Sequence, residues 1–142
     1  MIAAEHTIRI ARPSLDLEAA ERFYTGGVGL SVLFRASGRP EQGEHDLLMV
    51  GPPGGGWHLE LTRGTGERVA PSPTPDDLLV IYLGVPVDQE RVARAVEYGG
   101  RVVPSHNPYW DQGGVTLADP DGYRLVLTER RWGPNTPLSE AS

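Results

Sequence analysis

The sequence of 142 residues contains neither cysteine nor lysine. Without cysteine the protein has no thiol nucleophile, disulfide, iron–sulfur cluster or cysteine-ligated zinc. Without lysine it has no Schiff-base chemistry and no P-loop lysine, and all 13 of its cationic Lys or Arg side chains are arginines. These two absences remove several large classes of enzyme before any pattern is considered.

Long hydrophobic runs and clusters of positive charge are also missing. The apolar stretch 78–83 has only six residues, and the first residues lack the charged and apolar segments of a secretion signal. The net charge is -6, and the arginines are scattered along the chain. We therefore expect a cytoplasmic protein that binds neither membranes nor nucleic acids.

The chain is rich in turn-forming residues, with 18 glycines and 13 prolines, and its two halves repeat one order of elements. This composition favours many short strands joined by turns. In each half a strand precedes one amphipathic helix and three further strands. The predicted strands are 7–11, 30–34, 46–50, 57–62, 78–85, 101–104, 115–118 and 123–128, and the helices contain Leu17, Ala20 and Tyr24 in the first half and Val92, Ala95 and Val96 in the second. Pro13 should end the first strand, and the Gly-Gly pairs 26–27 and 99–100 should end the helices.

The repeat is visible in the residues themselves. When 57–63 is laid on 123–129, an aromatic residue, two leucines and a threonine coincide. A half-chain repeat indicates two modules that pack around a shared core. The predicted boundaries are 1–66 for the first module, 67–77 for a proline-rich linker, 78–131 for the second module and 132–142 for a C-terminal tail.

Four motifs in this order resemble the vicinal oxygen chelate superfamily, which includes glyoxalase I, bleomycin-resistance proteins and extradiol dioxygenases. They are Arg22-Phe23-Tyr24, Gly29-Leu30, His58-Leu59-Glu60-Leu61 and Asp119-Pro120-Asp121-Gly122-Tyr123. The resemblance covers roughly residues 6–130. It implies an α+β fold in which two βαβββ modules form incomplete barrels of mixed sheet around a shared cleft. It also implies assembly as a homodimer.

The resemblance implies four strand positions for the ligands of a divalent metal, and two of them carry hydrocarbon side chains. The first position falls on Glu5 or His6, and the second falls on Glu60. The third falls within 79–81, which offers only Leu, Val and Ile, and the fourth falls on Val126. Because a metal centre of this kind needs at least three oxygen or nitrogen donors, we expect no metal and no other cofactor.

Two further interpretations concern Glu60. Strand alternation places His58 and Glu60 on one face, where a rearranged metal site would add His6 and, from a loop, His106. In the other interpretation the Glu60 carboxylate lies in the cleft and is satisfied by an arginine or a tyrosine. The candidate arginines are Arg9 and Arg124.

Large aromatic and polar side chains are concentrated in the loop 106–112, which contains His106, Tyr109 and Trp110. Flat rings stack on planar ligands, and polar neighbours fix the ligand's orientation. Tyr82 adds a hydroxyl from an otherwise aliphatic strand. Alternatively, Tyr109 and Trp110 cover one end of the sheet or form a dimer contact. The candidate ligand-binding residues are Arg9, His58, Glu60, Tyr82, His106, Tyr109, Trp110 and Arg124.

Three functions are compatible with these residues. The first is a metal-free binding protein for an aromatic or antibiotic-like small molecule, similar to the bleomycin-resistance branch. The second is a divergent metal-dependent lyase, isomerase or dioxygenase with an unusual ligand set around Glu60. The third is a metal-free enzyme that uses Glu60 or His58 as acid or base. Two of the four expected metal-ligand positions carry hydrocarbon side chains, and the loop 106–112 is rich in aromatic residues. Both observations favour the metal-free binding protein.

Overall fold

The computed structural model describes residues 1–133, and its strands form two separate four-stranded sheets. The strands are β1 (Ile8–Pro13), β2 (Ser31–Ala36), β3 (His45–Gly51), β4 (Trp57–Gly64), β5 (Leu78–Tyr82), β6 (Arg101–Val102), β7 (Gly114–Ala118) and β8 (Arg124–Thr128). Their orders are β1-β4-β3-β2 and β5-β8-β7-β6. β1 and β4 pair in parallel, as do β5 and β8, and the other neighbours are antiparallel. This confirms two βαβββ modules of mixed sheet, neither of which closes into a barrel. Of the predicted tail, residues 134–142 lie outside the described part of the chain.

Short helices lie between the strands. They are α1 (Leu17–Glu21), a π-helix (Arg22–Gly27), α2 (Gln89–Glu97) and the 3-10 helices Pro40–Gln42 and Pro108–Asp111. The sequence predicts one continuous α-helix up to Gly26-Gly27, which is wrong in its second part. The hydroxyl of Thr25 donates to the carbonyl of Glu21 at 2.7 Å, a bond that competes with the regular helix ladder. No helix within residues 1–133 is long and apolar enough to cross a membrane.

β1 includes Pro13, whereas the sequence predicts that this strand ends before it. β1 is an edge strand and pairs only with β4. The N–H groups of Ile8 and Ser14 donate towards β4, to the carbonyls of Gly56 and Thr62, both at 2.8 Å. Because alternate residues of a strand point to the same side, the nitrogen of Pro13 faces away from β4. The proline therefore removes no bond between the strands.

Two strands of the second sheet are shorter than predicted. β5 ends at Tyr82 because the chain turns at Gly84, which has a φ of +70° and donates its N–H to the carbonyl of Arg130 at 3.3 Å. β6 has two residues, and Val103 continues its pairing with a single bond to the carbonyl of Thr116 at 3.0 Å. The segments that follow the shortened strands β5 and β6 form one end of the second sheet.

One hydrophobic core joins the two halves. Leu59 and Leu61 of β4 and Leu125 and Leu127 of β8 are buried, and they belong to a single cluster that includes side chains of α1, the π-helix and α2. β4 and β8 contain most of the segments that repeat in the sequence, and each lies second in its sheet, beside the parallel edge strand. The repeated residues therefore build the same part of the core twice.

Close helix contacts and a buried hydrogen bond also connect the halves. A Cβ at Gly26 would come within 2.5 Å of the Tyr98 ring, and a Cβ at Gly100 would come within 2.5 Å of the Phe23 ring. The Gly-Gly pairs thus allow the helical segments to approach each other. In addition, the hydroxyl of Tyr24 donates to Oδ2 of Asp119 at 2.5 Å.

Candidate functional site

His58 and Glu60 project from β4 on the face opposite the core. They alternate with Leu59 and Leu61, which are part of the hydrophobic cluster. Both polar side chains are partly buried. We call this surface the outward face of the first sheet, and define the outward face of the second sheet in the same way.

Arg9 of β1 connects His58 and Glu60. Its Nη1 lies 2.9 Å from Oε2 of Glu60, and its Nε donates to Nε2 of His58 at 3.0 Å. Its Nη2 lies 3.6 Å from Sδ of Met49 on β3. Of the two arginines considered for Glu60, Arg9 is thus the one that pairs with it.

Arg124 and His106 have other positions. Nη1 of Arg124 donates to the carbonyl of Pro104 at 3.0 Å, which ties the segment after β6 to β8. His106 is exposed on that segment. Within residues 1–133 neither side chain forms a hydrogen bond or ion pair with Glu60.

The residues at the expected metal positions do not fit a divalent metal. Val80 of β5 lies directly opposite Val126 of β8, and Val126 is fully buried. His6 is exposed, and its Nδ1 accepts a backbone N–H at 2.9 Å. Glu60 is paired with an arginine. No three His, Asp or Glu side chains among the described residues are grouped so that they could hold a metal ion, and this includes the rearranged set considered above.

Four aromatic rings form a cluster at one end of the second sheet. The ring centre of Trp110 lies 6.4 Å from that of Tyr82 and 4.9 Å from that of Tyr109. Trp132 joins them, with its ring centre 6.4 Å from that of Tyr82. We call Tyr82, Tyr109, Trp110 and Trp132 the aromatic cluster. It brings together three residues that the sequence singles out and adds a fourth.

The aromatic cluster covers part of the outward face of the second sheet. Tyr82, Thr128 and Gly114 lie side by side across β5, β8 and β7. The carbonyl of Trp110 lies against Gly114, while its ring contacts Tyr82 two strands away. Thr128, between them, is only 1% exposed. The 3-10 helix that contains Trp110 therefore crosses this end of the sheet.

Arg130 adds a cation to the aromatic cluster. Its guanidinium carbon lies 4.1 Å from the centre of the Tyr109 ring, and its Nη2 donates to Oε1 of Gln112 at 3.3 Å. Beside it, a cleft of about 550 Å³ is lined by 84–86, 112–113 and 129–130. Neither Arg130 nor Trp132 is among the candidate residues predicted from the sequence. Both residues follow the last strand directly, and the chain there lies beside the end of the loop 106–112. This position is the sequence feature that could have identified them.

Comparisons with known proteins agree with this fold. The crystal structure of a YycE protein of unknown function from Bacillus subtilis superimposes with a TM-score of 0.78 at 38% identity, over 93% of this chain and 95% of that one. TnmS3, an antibiotic binding protein from Streptomyces sp. CB03234, gives a TM-score of 0.58 at 25% identity, over 90% of this chain and 98% of that one. Glyoxalase I of Leishmania major gives 0.66 at 23% identity, over 88% and 86%. The fold and its paired modules thus define a protein of the vicinal oxygen chelate superfamily.

Sequence comparison identifies the family within this class. Residues 8–62 match the YycE-like N-terminal domain, and residues 76–129 match the YycE-like C-terminal domain. Uncharacterized protein YycE from Bacillus subtilis (strain 168) is 41% identical over 121 residues, which cover 84% of this chain and 85% of the relative. The chain belongs to the YycE-like family.

Proposed function

We propose that the protein binds a planar aromatic or antibiotic-like small molecule and that it needs no metal to do so. The observation that carries the proposal is the aromatic cluster, with Arg130 stacked on Tyr109, at the end of the second sheet. Aromatic rings contribute large contact areas and stack on flat ligands, and a guanidinium fixes orientation through hydrogen bonds. An open depression of about 550 Å³ beside Arg130 leaves room for part of such a ligand.

The chemistry of the outward faces supports binding without a metal. Val80 and Val126 have only hydrocarbon side chains at two positions where a metal would need donors. The pairing of Glu60 with Arg9 occupies the carboxylate at a third. The likeness to TnmS3, which is an antibiotic binding protein, supports the same class of ligand.

We further propose that the protein acts as a homodimer in which both outward faces contribute to the ligand site. Arg9, His58 and Glu60 belong to the first sheet, and the aromatic cluster belongs to the second. The apolar side chains of Ile8 and Ile10, on the edge strand β1, are 55% and 47% exposed. A second copy would cover such an edge. Sedimentation velocity should therefore find a species of two chains, and a monomer at all concentrations would contradict the dimer.

Fluorescence titration tests ligand binding directly. A panel of planar aromatic antibiotics is titrated into the protein, and tryptophan emission is followed because Trp110 and Trp132 belong to the proposed site. We expect saturable quenching, with a Kd on the order of micromolar, by at least one compound. W110L should weaken that binding at least roughly tenfold, because it removes a stacking surface. Y98F is the control, because it removes only a hydroxyl where the helical segments of the two halves meet, and it should leave the Kd unchanged. Absence of saturable quenching across the whole panel would contradict the proposal.

A further inference from the structure

The guanidinium of Arg9 is held by all three of its nitrogens. Nε, Nη1 and Nη2 each contact a different side chain of the outward face, namely His58, Glu60 and Met49, at 3.0, 2.9 and 3.6 Å. An arginine at an exposed position ordinarily samples many rotamers. Here the contacts within the sheet fix the side chain before any ligand arrives, which lowers the entropic cost of binding to it.

These contacts also determine how the guanidinium is oriented. Its N–H bonds lie in the plane of the group, so the three acceptors surround it within that plane. His58 and Glu60 lie on β4 and Met49 on β3, while Arg9 itself is on β1. The guanidinium therefore lies across β4 with its edges occupied. The Arg9 side chain is nevertheless 49% exposed. With its edges occupied, the guanidinium can offer a ligand only a planar face.

Apolar side chains continue this surface across the first sheet. Phe34 of β2 lies opposite Met49, and Met49 lies opposite Glu60. Phe34 is 53% exposed. Since neighbouring strands are about 4.8 Å apart, Phe34 lies about 10 Å from β4. A ligand of two or more fused rings placed on the guanidinium would reach towards this hydrocarbon surface.

The exposed charge on this surface is cationic. Glu60 balances Arg9, yet the Glu60 side chain is only 15% exposed, compared with 49% for Arg9. A ligand placed on the surface therefore meets the guanidinium first. The face of an aromatic ring is negative and attracts a cation, and a guanidinium is weakly hydrated, so stacking costs little desolvation.

We propose that Arg9 is a preformed stacking platform that selects electron-rich or anionic aromatic ligands over cationic ones. The inference rests on the proposed function and adds both a chemical class of ligand and a residue that determines specificity. Lysine at this position would keep the charge and the pairing with Glu60, but it would not provide a planar group for stacking. The planar group, in addition to the charge, should therefore determine affinity.

Two probes of the same shape and opposite charge test the platform, namely 2-naphthoate and 2-naphthylmethylammonium. Their binding to the full chain is measured by calorimetry, and the Nε–H resonance of Arg9 is followed by NMR. We expect 2-naphthoate to bind at least roughly tenfold more tightly than the ammonium probe and to move the Arg9 Nε–H signal upfield through its ring current. R9K keeps the charge and so part of this preference, but it should bind 2-naphthoate at least roughly fivefold more weakly than the wild type because the planar group is lost. The control is R35K, because Arg35 is also an exposed arginine of the first sheet but pairs with Glu21 instead, at 2.9 Å.

Each result decides the question. Equal affinities for the two probes, or equal 2-naphthoate affinities in the wild type and R9K, would overturn the platform while leaving the aromatic-binding function intact. Absence of binding by both probes would also overturn the platform. The broader function is decided separately by the antibiotic panel, so the two failures are distinguishable.

Discussion

Tyr24 and Asp119 join the two halves of the molecule where water does not reach. Both are at most 3% exposed. Burial, together with the Asp119 carboxylate beside it, raises the pKa of Tyr24 well above its usual value, so the hydroxyl remains a donor. Burial also raises the pKa of Asp119, whereas hydrogen bonds from Tyr24 and from the backbone N–H groups of Asp121 and Tyr123 act in the opposite direction. Such a pair is costly to leave half satisfied.

Y24F tests this hydrogen bond. The substitution keeps the ring in the core but leaves Oδ2 of Asp119 without its hydroxyl donor. We expect the free energy of unfolding to fall by about 1–3 kcal/mol, measured by urea denaturation. Y98F is the matched control, because Tyr98 is near the end of the helix in the other half and its hydroxyl makes no hydrogen bond within the described residues. Equal stabilities of Y24F and Y98F would contradict a stabilising role for the bond.

The same variant should change the pH dependence of stability. The pKa of Asp119 is higher in the folded protein than in the unfolded chain, so the folded state binds more protons between these two values. Stability from this group is therefore greatest below the unfolded pKa and falls as pH rises through the folded one. Y24F removes a bond that lowers the folded pKa, so this fall should become larger. The stability difference between Y24F and the wild type should be greater at pH 7 than at pH 4.

For single residues, the sequence predicts which side chains share a face better than it predicts which side chains pair with each other. Strand alternation correctly places His58 and Glu60 on one face, but Arg9 and Arg124 remain equivalent partners for Glu60 on sequence alone. The choice depends on strand pairing, because Arg9 lies opposite His58 in the β1–β4 register. Arg124 belongs to the other sheet.

The contact between helical segments of the two halves depends on glycine. Gly100 is buried, and a Cβ there would lie 2.5 Å from the Phe23 ring and 2.9 Å from the carbonyl oxygen of Ala95. We expect G100A to destabilise the protein by about 1–3 kcal/mol in thermal or urea unfolding, because neither neighbour has room to move. G56A is the control, since a Cβ at Gly56 meets nothing within 4 Å. Unchanged stability of G100A would show that the segments separate easily.

Elements are predictable wherever local residues determine them. The positions of all eight strands follow from apolar patterns and turn residues. The deviations arise from context outside the segment. Pro13 is tolerated because β1 happens to be an edge strand, and the early end of β5 depends on a bond from Gly84 to Arg130, far along the chain. The π-helix is likewise not visible in the spacing of Leu17, Ala20 and Tyr24.

For the whole molecule, the internal repeat is the most informative feature of the sequence. It predicts two equivalent modules, and the two sheets confirm them with the same strand order and the same pattern of parallel and antiparallel pairs. The order of the four motifs indicates the vicinal oxygen chelate superfamily. The two YycE-like domain matches, one in each half, agree with the paired modules. The proposed site is less predictable, because its residues come from separate sheets and from the segment after β8. No motif in the sequence specifies which ligand the proposed site would bind.

We propose that this molecule binds an aromatic ligand without a metal. The most direct measurement is calorimetric titration of EDTA-dialysed protein, checked by elemental analysis, with an aromatic antibiotic that binds in the fluorescence assay. The titration is then repeated after one equivalent of Ni²⁺, Zn²⁺, Fe²⁺ or Mn²⁺ has been returned. We predict a Kd that is the same within about threefold in every case. Binding that disappears on dialysis and returns only with a stoichiometric metal ion would contradict the claim.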